Sequence, residues 1–341
     1  MRLLVTGCAG FIGSNFVRYY LRQHPDDSII GLDKLTYAGN RANLAHADND
    51  PRFRFVQADI ADRDAVGALT QEVDAVVNFA AESHVDRSLL DPDAFIRTNV
   101  VGLHVLLEAA RQAGVQRFLQ VSTDEVYGHV PAGLADERAP LAPRNPYSAS
   151  KAGGDLLVQS YWHSHGLPVV LTRGANTIGP HQYPEKVTPL FVTNALDNQP
   201  LPIYGQGTAV RDYLYVDDHC AAIALVLHDG DAGEVYNVGA NEEVNTVELA
   251  RRILDLLGKP PALMQHVGDR PGHDYRYSMD SSRLHALGWQ RRYDLDATVE
   301  ATVRWYEANE SWWRPIKSGA FREYYRRNYG PKMAGTAMPP P

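Results

Sequence analysis

The stretch that decides the fold is Arg2-Leu3-Leu4-Val5-Thr6-Gly7-Cys8-Ala9-Gly10-Phe11-Ile12-Gly13. A short apolar run breaks at Gly7, and helical spacing then runs from Ile12 to Gln23. Gly7, Gly10 and Gly13 therefore form Gly-x-x-Gly-x-x-Gly between a strand and a helix. Missing side chains let the backbone turn tightly and approach a pyrophosphate, whose charge suits a helix N-terminus. Glycine loops also occur as plain turns, so the surroundings decide. Here Asp33 ends the next strand, Ile29-Ile30-Gly31-Leu32-Asp33. Its distance along the chain from Gly13 suits a carboxylate that holds the adenosine ribose diol. Such a carboxylate repels a 2′-phosphate, which favours NAD over NADP, and the adjacent Lys34 tempers that only slightly.

Outward from this loop the chain keeps a regular beat. Phe53 to Asp59 reads as a third strand, Ala61 to Thr70 as a helix and Ala75 to Phe79 as a fourth strand. A long helical stretch from Asp93 to Ala113 leads into the strand Arg117 to Ser122. Tyr147 to His165 is helical, and Pro168 to Arg173 is another strand. The alternation predicts an α/β fold: a doubly wound parallel Rossmann sheet with helices on both faces. In such sheets ligands bind at the C-terminal strand ends, which brings in Asp59 with Ile60 near an adenine, and the small residues of 78–81 where a dinucleotide would cross.

The beat fails after Arg173. Residues 174–207 are rich in Pro, Gly and Asn, with one helix near 190–196. Strand-like pieces return at 212–216 and 235–238, and helices are expected at 246–257 and 294–309. The expected division is an NAD-binding domain over 1–173 with return segments near 212–238. A smaller substrate-binding domain covers 174–211 and 239–330, and 331–341 is a Gly/Thr/Pro-rich tail expected to be disordered.

Bulk properties exclude several classes. The 341 residues carry a formal charge of −8, which argues against non-specific nucleic-acid binding. Cys8 and Cys220 are too few for a disulfide framework and lack zinc spacing, so no metal is expected. Met1 leads directly into a strand, and no apolar run reaches membrane-spanning length. A cytoplasmic enzyme that does not act at a membrane fits these features.

The chemistry lies in two further stretches, Val121-Ser122-Thr123-Asp124-Glu125-Val126-Tyr127-Gly128 and Tyr147-Ser148-Ala149-Ser150-Lys151. A free tyrosine is a poor base at neutral pH. An adjacent ammonium and a cationic nicotinamide would both favour its phenolate. Lys151 follows Tyr147 by one helical turn and shares its face. Thr123, at a strand end, completes the hydrogen bonding to a reacting hydroxyl. Alcohol oxidation needs no more than this. The extra pair, Asp124 and Glu125, supplies an acid and a base for a second proton-transfer task, such as elimination of water. Two acids at a strand end are more often a solvated turn, but these directly follow the catalytic threonine.

These residues closely resemble the nucleotide-sugar branch of the extended short-chain dehydrogenase/reductases, the NAD-dependent epimerase/dehydratases, over 1–329. Asp33-Lys34-Leu35-Thr36-Tyr37-Ala38-Gly39-Asn40 and Ala80-Ala81-Glu82-Ser83-His84-Val85-Asp86-Arg87-Ser88 carry the resemblance, as do Pro184-Glu185-Lys186, Pro202-Ile203-Tyr204-Gly205, Arg211-Asp212-Tyr213 and Asp269-Arg270-Pro271-Gly272-His273-Asp274. Ser122 to Gly128 separates the dehydratases from the epimerases, which usually lack the Asp-Glu pair. The resemblance implies a redox-neutral cycle on tightly held NAD, with dTDP-glucose as substrate, for deoxysugar or rhamnose synthesis. Tyr147 would take the C4 hydroxyl proton, Glu125 the C5 proton, and Asp124 would protonate the departing C6 hydroxyl. It also implies a cofactor set of Gly7, Gly10, Phe11, Ile12, Gly13, Asp33, Lys34, Leu35, Thr36, Asp59, Ile60, Phe79, Ala80, Ala81, Ser83, Thr98, Tyr147 and Lys151. Ser83, Thr123 and Asn176 would meet the sugar end. Lys186, Val187 and Arg211 would surround the diphosphate, where a guanidinium makes paired charge-assisted bonds. Pro202, Ile203 and Tyr204 would pack on the base, joined by Asn245, Asp269, Arg270, Pro271, Gly272 and His273.

A homodimer through the helices near 93–113 and 147–165 is a family expectation. Cys8 stands where glycine is common. Gly174-Ala175-Asn176-Thr177-Ile178-Gly179 replaces the usual Cys-Ser-Asn-Asn-Tyr-Gly, which puts the NAD contact at Thr177 in question. Tyr213 stands where Trp is frequent. A 4-epimerase or decarboxylase would share everything but the acid pair, and a silent NAD sensor commonly loses the Tyr or Lys kept here. Thymine and uracil stay open, because a methyl in an apolar pocket contributes only about 1–3 kcal/mol of discrimination.

Overall fold

The computed structural model describes residues 1–269 and 271–334. The first half alternates β1 (Arg2–Thr6), α1 (Phe11–Gln23), β2 (Ser28–Asp33), β3 (Phe53–Gln57), α2 (Arg63–Thr70) and β4 (Ala75–Asn78). It continues through α3 (Val85–Leu90), α4 (Pro92–Ile96), α5 (Leu103–Ala113), β5 (Arg117–Thr123), α6 (Pro146–His165) and β6 (Val169–Gly174). The second half holds β7 (Asn176–Ile178), α7 (Val187–Leu196), β8 (Leu201–Tyr204), β9 (Val210–Tyr215), α8 (Val216–Asp229) and β10 (Val235–Val238). It ends with β11 (Glu243–Asn245), α9 (Thr246–Leu256), β12 (Met264–Val267), α10 (Ser282–Ala286), α11 (Leu295–Ala308), α12 (Glu310–Ile316) and α13 (Ala320–Ala334).

Seven parallel strands form the central sheet in the order β10-β6-β5-β4-β1-β2-β3. The alternation of strand side chains sends Leu3, Val5 and Val77 to one face, against Phe16, Val17 and Ile223. Leu4, Val76 and Phe118 go to the other, against Leu106, Ala110 and Val158. Both faces are thus covered by helices, as a parallel sheet requires. Beneath the glycine loop a polar line ties three strands together. The Thr6 hydroxyl donates to Asn78 Oδ1, and Asn78 Nδ2 donates to Gln120 Oε1 at 2.8 Å. Asn78 therefore acts as a buried strap between strand ends, while the residues after it, from Phe79 onward, line the cleft.

Several sequence expectations change in detail. The third strand stops at Gln57, so Asp59 and Ile60 lie beyond the strand end. The helical stretch after Asp91 is continuous but carries a π-type segment at Arg97–Gly102. Of the return segment, 210–215 pairs in a three-stranded sheet (β11-β9-β7), and only α8 and β10 join the central layer. The smaller layer has its own core, in which Ile203, Phe191, Leu249, Val303 and Trp313 meet. The expected tail begins too early at 331, because α13 continues through Ala334. The rest of that tail, 335–341, lies outside the described residues, as does Arg270.

Candidate active site

A cleft enclosing about 1580 Å³ of empty space, its open mouth included, runs across the C-terminal ends of the central strands. The glycine loop forms its floor. Gly7 has φ +67°, and a Cβ there would lie 2.6 Å from the Ala80 nitrogen. A Cβ on Gly13 would lie 2.2 Å from the Gly7 carbonyl oxygen. Side chains are thus excluded from the loop by backbone on both counts. Cys8 faces away from the cleft into the core, with its sulfur 2.8 Å from where a Cβ on Gly31 would sit. A bare Gly31 makes room for the extra thiol.

Asp33 is buried at the edge of this cleft. Its Oδ2 accepts from the Ala9 amide at 2.9 Å and its Oδ1 from the Leu35 amide at 2.8 Å. Burial raises its pKa, and those two amides pull the other way. Lys34 pairs with Asp59 at 2.6 Å and so turns away from Asp33. All the expected cofactor residues line the cleft except Leu35, whose backbone at φ +57° serves Asp33 instead. Glycines that a Cβ would choke, a helix N-terminus at Phe11 and a fixed carboxylate fit an adenine dinucleotide.

Thr123, Asp124, Glu125, Tyr147 and Lys151 line the same cleft. Thr123 caps a short 3-10 turn, 124–127, accepting from the Glu125 amide at 3.3 Å and donating to Asp124 Oδ1 at 3.0 Å. Gly128, at φ +70°, closes that turn where a Cβ would strike the Ala142 carbonyl. Burial, and then the neighbouring Glu125, push the Asp124 carboxyl up to about 8. The shift favours the protonated acid over the carboxylate.

Helix α6 starts at a capping box in which Asn145 accepts from the Ser148 amide at 2.9 Å, and this sets Tyr147 in its first turn. Lys151 Nζ donates to the Val121 carbonyl at 2.8 Å, and burial draws its pKa down to about 8. Without a nicotinamide, the surroundings of Tyr147 do not favour its phenolate. Burial, and then Glu125, raise the phenol, and the Thr123 hydroxyl only partly opposes them.

The sequence-predicted substrate residues divide. Ser83, Thr123, Asn176 and Lys186 line the cleft, and Lys186 Nζ donates to the Ser83 carbonyl. Val187 opens α7 next to it. Arg211 lies behind the acid pair, donating to the Asp274 carbonyl at 2.8 Å and stacking 4.3 Å from the Tyr277 ring. The Tyr277 hydroxyl in turn reaches Glu125 at 3.4 Å. Pro202 and Ile203 are buried in β8. Asn245 caps α9 through the Glu248 amide. Tyr204 donates to Asp86 at 2.8 Å and stacks on Tyr329, with His273 edge-on to its ring. Asp269 accepts from the Tyr275 hydroxyl and holds His273 at 2.7 Å, and Pro271 and Gly272 lie between them. These last residues form a separate cluster and are not walls of the cleft.

Several polar cleft residues lie outside the predicted site set, among them Tyr37, Glu82, Gln182, Tyr183, Glu185 and His219. Glu185 is buried and pairs with Arg87 at 2.7 Å. His219 sits in α8, a helix that begins directly at the end of β9. The acidic pair Asp217-Asp218 ahead of an apolar run was the signal for that helix.

The architecture and cleft define a doubly wound α/β protein with a dinucleotide cradle and an acid pair at its reactive end. The chain belongs to the GDP-mannose 4,6 dehydratase family, whose model matches residues 4–302. It is 50% identical to a dTDP-glucose 4,6-dehydratase of Streptomyces niveus over 323 residues, covering 93% of this chain and 96% of that one. It is 51% identical over 306 residues to the low-salt glycan biosynthesis protein Agl12 of Haloferax volcanii, covering 90% and 98%. The solved structure of DesIV, a dTDP-glucose 4,6-dehydratase from Streptomyces venezuelae crystallised with NAD, matches at a TM-score of 0.91 and 51% identity, over 93% of this chain and all of that one.

Proposed function

We infer that this chain removes water from dTDP-glucose to give dTDP-4-keto-6-deoxyglucose, with NAD as its resident cofactor. The observation that carries this reading is the buried Asp124 beside Glu125 at the end of β5, lining the same cleft as Tyr147. An oxidoreductase or epimerase site has no task for that pair, whereas elimination needs both a proton donor and a proton acceptor.

Tyr147 takes the proton of the C4 hydroxyl, with Thr123 hydrogen-bonding to the same oxygen. The glycine loop and Asp33 would hold NAD, which would supply hydride acceptance at C4 and hydride return at C6, and its positive ring would favour the phenolate. Lys151 holds a positive charge one helical turn below Tyr147. The C4 ketone acidifies the C5 proton, which Glu125 removes while Asp124 protonates the leaving C6 hydroxyl. Glu125 then returns its proton to C5.

The glycine loop, Asp33 and the Phe79–Ala81 and Ser83 wall hold the dinucleotide. Ser83, Asn176 and Lys186 take the sugar and diphosphate, with Val187 and Arg211 behind them. The Tyr204 and Asp269–His273 cluster, with Pro202, Ile203 and Asn245, takes the base. Residues 1–173 with the return segment near 212–238 act as the cofactor-binding unit, and 174–211 with 239–330 as the substrate-binding unit. The exposed Ile96, Val101 and Leu156 favour a homodimer through the helices near 93–113 and 147–165. No helix among the described residues is long and apolar enough to cross a membrane, and we place the enzyme in the cytoplasm.

The test is incubation of the purified protein with dTDP-glucose and, separately, with UDP-glucose. The expected product is lighter by one water, with no net release of reduced cofactor, and is formed faster from dTDP-glucose. Product of unchanged mass and galactose configuration would mean epimerisation. Faster reaction of UDP-glucose would reassign the base.

A further inference from the structure

Helix α13 lies outside the 4–302 stretch that the family model matches, and no step of the dehydration uses it. Phe321, Tyr325 and Tyr329 recur along it at i, i+4 spacing, which puts their rings on one face. The rings follow one another at 6.2 Å and 4.9 Å between centroids. Arg322, Glu323 and Arg326 are exposed. A helix patterned in this way packs by its aromatic face. The two ends of that face meet different parts of the ligand site. Phe321 lies 6.2 Å from Tyr183, a wall of the cleft. Tyr329 stacks on Tyr204 of the separate cluster, at 5.8 Å and 25°.

Tyr204 is where this helix bears on binding. It ends β8, beside Val267 of β12, and keeps part of its surface open to solvent. Tyr329 stacks against its ring, and His273 stands edge-on to it at 6.2 Å. Its hydroxyl donates to Asp86 Oδ2 at 2.8 Å. Asn328, the neighbour of Tyr329, closes the lock. Its Nδ2 donates to the same Asp86 oxygen at 3.0 Å and to the Tyr204 oxygen at 3.2 Å. A primary amide carries two such protons, so both bonds are made together. Asp86 and Tyr329 are both buried, and packing therefore sets the arrangement.

We propose that α13 pre-sets the base platform: Tyr329 and Asn328 fix the Tyr204 ring so that it meets the flat base of a nucleoside diphosphate without reordering. This rests on the reading that the Tyr204 cluster takes the base. Holding the ring in advance removes an ordering cost from binding. It leaves the chemistry at Asp124, Glu125 and Tyr147 untouched. Tyr329 and Asn328 act only through Tyr204 and are positioning residues, so they govern affinity for the nucleotide and not the hydride or proton transfers.

The test takes the NAD-loaded enzyme and measures kcat and KM for dTDP-glucose, with inhibition by dTDP and by inorganic pyrophosphate, which has no base. Tyr329→Ala should raise KM and the dTDP inhibition constant together, by about twofold to tenfold, the scale of one aromatic pair. Its kcat and its inhibition by pyrophosphate should stay as in wild type. Tyr329→Phe keeps the ring and should restore KM. Asn328→Ala leaves the aromatic face intact, should shift KM in the same direction, and serves if Tyr329→Ala folds poorly. Arg326→Ala, on the exposed face, should change nothing. Equal weakening of dTDP and pyrophosphate, or a fall in kcat at constant KM, would overturn the assignment alone. A lower KM in Tyr329→Ala would overturn it too, because Tyr329 would then occupy the place of the base. If wild type binds pyrophosphate as tightly as dTDP, the base reading itself fails, and this proposal with it.

Discussion

Asp124 and Lys151 titrate in the same range for opposite reasons. Burial beside Glu125 lifts the carboxyl to about 8, and burial draws the ammonium down to about 8. The proposed mechanism needs the first protonated and the second charged, so both are competent below that pH and both fail above it. The pH profile of kcat/KM, which reports groups of the free enzyme, should therefore fall on the alkaline side with a limiting slope near −2 on logarithmic axes. A slope of −1 would leave one of the two without a role. The consequences for stability run in opposite directions. Asp124 contributes most below the unfolded carboxylate pKa, and its contribution is lost as pH rises through about 8. Lys151 contributes above the unfolded lysine pKa, and its contribution is lost as pH falls through about 8. Asp124→Asn keeps the shape and removes the acid. It should lower dehydration by about 10²- to 10⁴-fold while C4 oxidation continues, so the absorbance of reduced cofactor persists in a stopped-flow trace.

At the scale of elements, the loop between β1 and α1 works because nothing projects into it. Gly13→Ala would place a Cβ 2.2 Å from the Gly7 carbonyl, against backbone that cannot rotate aside. The expected cost is about 1–3 kcal/mol of stability, as for other overpacking, together with loss of copurifying dinucleotide. Thermal melting and extraction of bound nucleotide measure the two effects. This loop was legible in the sequence because glycine spacing and the period change from strand to helix are local signals. The same holds for Asp33 at the end of β2 and for Tyr147 and Lys151 on one face of α6. Other features were hidden because they depend on distant chain. Arg211 is expected near the diphosphate, but its stacking on Tyr277 was not legible, because Tyr277 comes from far along the sequence, just before α10. The tyrosine phenolate was expected from the adjacent lysine together with a cationic nicotinamide; what the sequence did not show is that Lys151 bonds the Val121 carbonyl and that burial raises the phenol. Spacing places two side chains on one face of a helix; it does not say which partner each will choose.

Across the whole molecule, the two layers meet at Arg87. Its Nε donates to the buried Glu185 at 2.7 Å. Its guanidinium lies 3.6 Å from the Tyr37 ring and 4.3 Å from the Tyr324 ring. One side chain thus joins α3 to a loop of the cofactor half, to the approach to α7, and to α13. Two of its partners, Tyr37 and Glu185, are walls of the cleft. Truncating it would leave the Glu185 carboxylate buried without its partner cation, the costly way to break an ion pair. Because Arg87 is itself a quarter exposed, Arg87→Ala should cost about 3 kcal/mol, at the low end for buried pairs. The loss should not be confined to stability. With the clamp gone, the KM for dTDP-glucose should rise, and amide hydrogen exchange should accelerate in α13 and in the segment before α7. Exchange in the buried strands β1, β4 and β5 should change only by the global loss of stability. Arg87→Lys restores the charge without the planar stacking group, so it should recover most of the melting temperature and only part of the KM. If Arg87→Ala melts earlier yet binds substrate as wild type does, Arg87 is a structural pair alone and the cleft walls are held by other contacts.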